Sequence, residues 1–212
     1  MDTEIGVLII IGLLGYLLGA IPTAYLVVKR FAHKSILEWG TGNVGTLNTL
    51  RATNSKPLTL LTLLGDALKG ALALALGYAI ANAAGDDVSV GAATGGIMAV
   101  VGHNYSVFLL FKGGKGIATS LPVLAYLAPL LMPIWLVVFF VTVLLTRLLV
   151  LGQILGTVAV PIVTYLLFPD YSIVPVSILA ALVFIRHASR IRNILNRTEP
   201  KLYFKVDKSL GS

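Results

Sequence analysis

Seven long apolar runs shape this chain, near residues 4–28, 57–84, 88–111, 117–131, 133–149, 151–168 and 171–186. The hydrocarbon core of a bilayer is about 30 Å thick and takes about 20 helical residues to cross. Runs of this kind use up most of the 212 residues and leave no room for a separate soluble domain. Lipid offers the backbone no hydrogen-bonding partner, so spans are helices or closed barrels. These runs lack the period-two alternation of barrel strands and read as helices. The expectation is an all-α, polytopic integral membrane protein with seven transmembrane helices and one domain over 1–212. Within 117–168 the separators are thin, at Pro129–Pro133 and Leu151–Gly152, and the residues alone leave six or eight helices open. Only 12% of the residues are charged, where a soluble domain carries about 25%.

Charge orients the spans. Fifteen of the 16 Lys and Arg residues fall in alternate connections. Lys29, Arg30, Lys34, Arg51 and Lys56 lie in the first, Lys112 and Lys115 in the third and Arg147 in the fifth. The tail carries Arg186, Arg190, Arg192, Arg197, Lys201, Lys205 and Lys208. The intervening connections hold Asp2, Glu4, Asp86, Asp87 and Asp170, with no Lys or Arg. The positive-inside rule then puts the N-terminus outside and the C-terminus in the cytoplasm. The net charge of +7 is mostly a topology signal. It adds attraction to anionic lipid heads and requires no nucleic-acid partner. With no cysteine, disulfides, thiolate catalysis and Cys-based zinc sites are excluded. The first run follows Asp2 and Glu4 without a basic n-region, so it reads as a retained span and not a cleaved signal.

Two glycine-rich loops fall on the basic side. The first reads Gly40-Thr41-Gly42-Asn43-Val44-Gly45-Thr46-Leu47-Asn48-Thr49-Leu50-Arg51. Its glycines permit φ > 0 turns that let amides converge on an anion. Thr41, Asn43 and Asn48 add polar side chains, and Arg51 adds a planar fork suited to phosphate. The competing interpretation is an ordinary polar interhelical loop. The second reads Phe111-Lys112-Gly113-Gly114-Lys115-Gly116-Ile117-Ala118-Thr119. It lacks Walker A spacing, yet Gly116 opens a helix whose positive dipole end faces Lys115. A tight turn with topogenic lysines accounts for Lys112 well and for Lys115 less well.

Asp66 and Lys69 sit inside the second run at i, i+3 spacing, where opposite charges can pair on one helix face. The alternatives are a structural ion pair or substrate contact by Lys69. His103 lies in the third run, and His187 opens the basic tail. Three scattered histidines without suitably spaced acids argue against a metal site. No Gly-x-Ser-x-Gly elbow and no His-x4-Asp pair occurs.

Gly-Thr-Gly-Asn-Val-Gly-x-x-Asn-x-x-Arg (40–51), Asp-x-x-Lys-Gly (66–70), Gly-His-x-Tyr (102–105), Phe-Lys-Gly-Gly-Lys-Gly-x-Ala-Thr (111–119) and Arg186-His187 leading to Thr-Glu-Pro-Lys (198–201) occur in this order. With Tyr16-Leu-Leu-Gly-Ala-Ile-Pro22 at the start, the chain resembles the bacterial acyl-phosphate-dependent glycerol-3-phosphate acyltransferases over nearly its whole length. That resemblance implies a multi-pass protein of the bacterial inner (plasma) membrane. It implies acyl transfer from acyl phosphate to the sn-1 hydroxyl of glycerol 3-phosphate, giving lysophosphatidic acid, with no cofactor and no metal. It implies Thr41, Asn43, Arg51, Lys115 and His187 as catalytic residues. Gly42, Asn48, Lys69, His103, Gly113, Gly114, Gly116 and Arg190 are expected to bind substrate or phosphate. Departures from the family pattern stand at Leu47, Ser106, Val150, Gln153, Arg190, Asn193 and Arg197. Arg190 adds a cation where an Asn is expected, so a paralogue acting on another phosphorylated acceptor stays open. An organic-phosphate transporter is the rival from another class.

Overall fold

The computed structural model describes residues 2–201. Lys205 and Lys208, counted above in the basic tail, lie outside the described residues. Every regular element among the described residues is helical: α1 (Asp2–Ala20), α2 (Thr23–Ala32), α3 (Thr46–Thr53), α4 (Lys56–Ala84), α5 (Val88–Asn104), α6 (Ile117–Leu127), α7 (Leu131–Thr146), α8 (Leu149–Leu167) and α9 (Ile173–Leu195), with short 3-10 turns at Ile36–Glu38 and Val107–Leu109. Among the described residues, four stretches are long and apolar enough to cross a membrane: Glu4–Ala32, Lys56–Ala84, Leu149–Leu167 and Ile173–Leu195.

Several boundaries differ from the sequence expectation. The first run is interrupted at Ile21–Pro22, because proline has no N–H for the helical ladder. The carbonyls freed there find side-chain donors. Ser106 Oγ donates to the Ala20 oxygen at 2.6 Å and Lys69 Nζ to the Ile21 oxygen at 3.0 Å. The third run ends at Asn104 instead of 111, and the chain turns through Leu110 and Phe111, both at positive φ. The seventh runs on to Leu195 and carries the first basic residues of the tail on a helix. The first connection holds an additional helix, α3.

Local signals account for the helix ends. Ser55 caps α4 by accepting from the Leu58 N–H, and Gly85 ends it in the left-handed region. Asp87 caps α5 by accepting from Ser89 and Val90. Small residues let α1, α4 and α5 approach at backbone distance. Gly15 lies on the Gly95 backbone, Gly95 on the Ala73 carbonyl and Gly70 on the Thr119 carbonyl of α6. Lipid tails are as apolar as leucine, so close van der Waals packing of this kind drives helix association in membranes. A second apolar core joins α5, α6, α7, α8 and α9 around Val100, Val123, Leu131, Trp135, Val160 and Leu179. The connections at one end of both cores form the site.

Candidate active site

The 39–45 loop is built around one buried amide. Asn48 Nδ2 donates to the Ile36 and Trp39 carbonyls at 3.1 and 2.9 Å, and its Oδ1 accepts from the Thr41 N–H at 3.2 Å. Gly40 and Gly42 take the positive φ values of 57° and 65° that this turn demands. The Asn48 side chain is therefore spent on folding the loop, and it sets Thr41 and Asn43 in place. One helical turn later α3 presents Arg51, exposed on the cavity wall, with a pKa pushed down by desolvation and then by Arg190.

The second loop is clamped from α9. Arg186 Nε donates to the Gly114 carbonyl at 2.9 Å and its Nη2 to the Gly113 carbonyl at 3.0 Å, while its guanidinium lies 5.0 Å from the Tyr105 ring centre. The Gly114 N–H donates to the His103 carbonyl at 3.0 Å. The expected amide cradle is corrected at that position, since the Gly114 amide is used inside the protein. A methyl there would meet the His103 ring and, at 2.6 Å, the Val44 carbonyl. Lys115 stands between these clamps. Burial and then the neighbouring Arg190 lower its pKa to about 8, with Glu199 opposing and Arg51 and Arg186 adding to the fall.

These elements enclose a cavity of about 760 Å³. Among the expected site residues, Thr41, Gly42, Asn43, Asn48, Arg51, His103, Gly113, Lys115, Gly116 and Arg190 line it. Lys69, Gly114 and His187 do not. Lys69 Nζ is 2.9 Å from Asp66 Oδ1 and donates to the Ile21 carbonyl, so its charge is committed to the helix break. His103 Nδ1 lies 3.5 Å from the same Asp66 oxygen. His187 is fully buried behind the wall, with Nδ1 2.8 Å from the Val183 carbonyl and Nε2 3.0 Å from the Gln153 side-chain oxygen. Gln153 itself faces the cavity.

Arg190 is also different from expectation. Its guanidinium forms a two-pronged pair with Glu199, at 2.9 and 2.8 Å. The extra cation is matched by a carboxylate, so it adds little net charge to the cavity. Arg186 and Glu199 are the functional candidates that sequence reasoning missed. Both stand in quoted motifs, yet no local spacing shows that one clamps the glycine loop and the other neutralises Arg190.

Apolar helices enclosing a cavity with a cationic rim and an apolar interior define a membrane protein suited to phosphorylated, lipid-like molecules. Comparison with known proteins narrows this class. The family described as glycerol-3-phosphate acyltransferase matches residues 9–197, and the chain belongs to that family. The glycerol-3-phosphate acyltransferase of Clostridioides difficile (strain 630) is 37% identical over 94% of this chain and 97% of its own length. That of Bacillus subtilis (strain 168) is 35% identical over 90% and 95%. Among solved structures, the glycerol 3-phosphate form of PlsY (YgiH), an integral membrane glycerol 3-phosphate acyltransferase, superposes with a TM-score of 0.79 at 28% identity and covers 97% of this chain and 99% of that one. The lysophosphatidic acid form of PlsY gives a TM-score of 0.78 over 92% and 95%.

Proposed function

We propose that this chain transfers a fatty acyl group from an acyl phosphate to the sn-1 hydroxyl of glycerol 3-phosphate, producing lysophosphatidic acid and inorganic phosphate. The observation that carries this reading is the convergence of Arg51 and Lys115 on one cavity that also has an apolar stretch along α6 and α7. Both substrates are anions, and one has a lipid tail. Lys115 and Arg51 hold phosphate groups, while Thr41 and Asn43 orient the acceptor. The hydroxyl oxygen attacks the acyl carbonyl carbon, the bond from that carbon to the phosphate oxygen breaks, and the hydroxyl proton passes to the departing phosphate. A phosphate with a second pKa of about 6 can take that proton. Positioning of this kind is worth roughly 7–11 kcal/mol, and Lys115 is placed to meet the developing oxyanion. His103 is poorly placed as a base. Its Nδ1 faces Asp66, and its Nε2 packs against Gly114. His187 and Asn48 act as positioning residues.

Residues 1–212 form one transmembrane acyltransferase domain with seven crossings, counting α1 and α2 as one. The N-terminus lies outside, and the site faces the cytoplasm of a bacterium across its plasma membrane. The Arg190–Glu199 pair favours the family acceptor over a paralogue's, since it cancels the extra cation. The test is purified protein in detergent with palmitoyl phosphate and a panel of phosphorylated acceptors, scored by product mass. Lysophosphatidic acid formed from glycerol 3-phosphate supports the reading. No acylated product, with transport of organic phosphate by vesicles, would establish the transporter instead.

A further inference from the structure

The cavity's cations gather at its loop end, and Gln153 of α8 is a neutral polar group on the wall beyond them. Away from Arg51 and Lys115 the cavity is lined by Ile117 and Leu121 of α6, by Trp135, Leu136 and Phe139 of α7, and by Val150 of α8. On α7 the lining residue farthest from the site end is Trp135. It lies twelve residues from Arg147, or about 18 Å at 1.5 Å rise per residue. Trp135 also belongs to the solid core with Leu124, Ala128, Leu131, Val160 and Val176. The indole is thus where open cavity meets close-packed interior. It is fixed from two sides. Its ring stacks on Phe139, with centres 5.1 Å apart and planes 8° from parallel. Its Nε1 donates to Thr157 Oγ1 at 3.4 Å, and Gly156 lets the ring lie against the α8 backbone, where a Cβ would meet Nε1 at 3.0 Å.

We propose that Trp135 is the floor of an acyl-chain arm and sets the longest acyl group this enzyme accepts at full rate. The proposal rests on the acyl-transfer reading above and deepens it. An acyl chain entering from the cationic end runs between α6 and α7, with its terminal methyl toward the indole. A chain one step too long has to bend or withdraw its carbonyl from Lys115. Because the indole is stacked, hydrogen-bonded and backed by glycine, it cannot swing aside cheaply. One extra methylene against a fixed apolar wall costs about tenfold or more in specificity.

The experiment measures kcat/KM for a saturated series from lauroyl to arachidoyl phosphate, with glycerol 3-phosphate held constant. Wild type, Trp135→Ala and Leu121→Trp are compared. Trp135→Ala should move the preferred chain to a longer one, raising the ratio of the longest to the preferred substrate by about tenfold. Leu121→Trp narrows the arm nearer the site and should move the preference to shorter chains while lauroyl transfer persists. If Trp135→Ala does not fold, Leu121→Trp decides alone. An unchanged chain-length profile in the folded variants overturns the floor while leaving acyl transfer intact. No acylation of any chain by wild type overturns the acyl-transfer reading itself, so the two failures are distinct.

Discussion

Lys115 should give the enzyme an alkaline limb within the ordinary working range. Partly buried near Arg190, Arg51 and Arg186, its ammonium has a pKa lowered from 10.5 to about 8. In the proposed function it is the cationic form that holds phosphate. Binding competence is therefore full below pH 8 and is lost as pH rises through it. At pH 9 only about a tenth of the free enzyme keeps the charge, so kcat/KM should fall about tenfold per pH unit above 8. A bound phosphate dianion stabilises the ammonium, so the limb in kcat should lie at higher pH than the limb in kcat/KM. The assay is initial-rate measurement with palmitoyl phosphate and glycerol 3-phosphate between pH 6.5 and 10, about the range over which both phosphates stay dianionic. Lys115→Arg supplies the control, because a guanidinium stays charged beyond about pH 12. Whatever activity it retains should lose the limb. A flat wild-type profile to about pH 10, or a limb at the same pH in Lys115→Arg, would refute the reasoning. Lys115→Ala should cost about a hundredfold or more in kcat/KM at every pH.

Glu199→Gln leaves Arg190, 19% exposed, without its buried counter-ion, which is 3% exposed. A loss of about 3 kcal/mol is expected, the lower end for such pairs, together with a shift of the alkaline limb to lower pH; thermal melts and the pH profile check both. Asp66→Asn strands the buried Lys69 ammonium and should destabilise by about 3–5 kcal/mol, whereas adding Lys69→Met should recover much of it; a double-mutant cycle on melting temperature measures the coupling. Gly114→Ala drives a methyl onto the Val44 carbonyl and the His103 ring. It should cost about 1–3 kcal/mol of stability and most activity, whereas a block limited to phosphate approach would leave melting unchanged. Gln153→Ala removes the partner of His187 Nε2 and should lower kcat more than it raises KM, as steady-state kinetics will show.

Local and distant properties of this chain carry different parts of its structure. Apolar runs, their helical character and the clustering of basic residues are local properties, and each was legible before any fold was known. Glycine spacing likewise pointed to both loops of the site, and Arg51, Asn43 and Lys115 duly line one cavity. What no window of sequence contained was how each polar group is spent. Asn48 resembles a ligand until its amide is seen bonded to Ile36 and Trp39. Lys69 resembles a phosphate binder until the carbonyl freed at Pro22 claims it, 48 residues away. Arg190 resembles an added cation until Glu199 folds back onto it.

The chain alone determined that this is a helical membrane protein with two glycine-rich loops gathered among its basic residues, because hydropathy and charge act on each segment wherever it packs. Only the tertiary structure decided which of the cations are paired inside the protein, what clamps the glycine loop and which apolar side chains line the cavity. Those outcomes depend on pairing between residues far apart in sequence. A buried charge or carbonyl takes whichever partner the packed helices bring within reach.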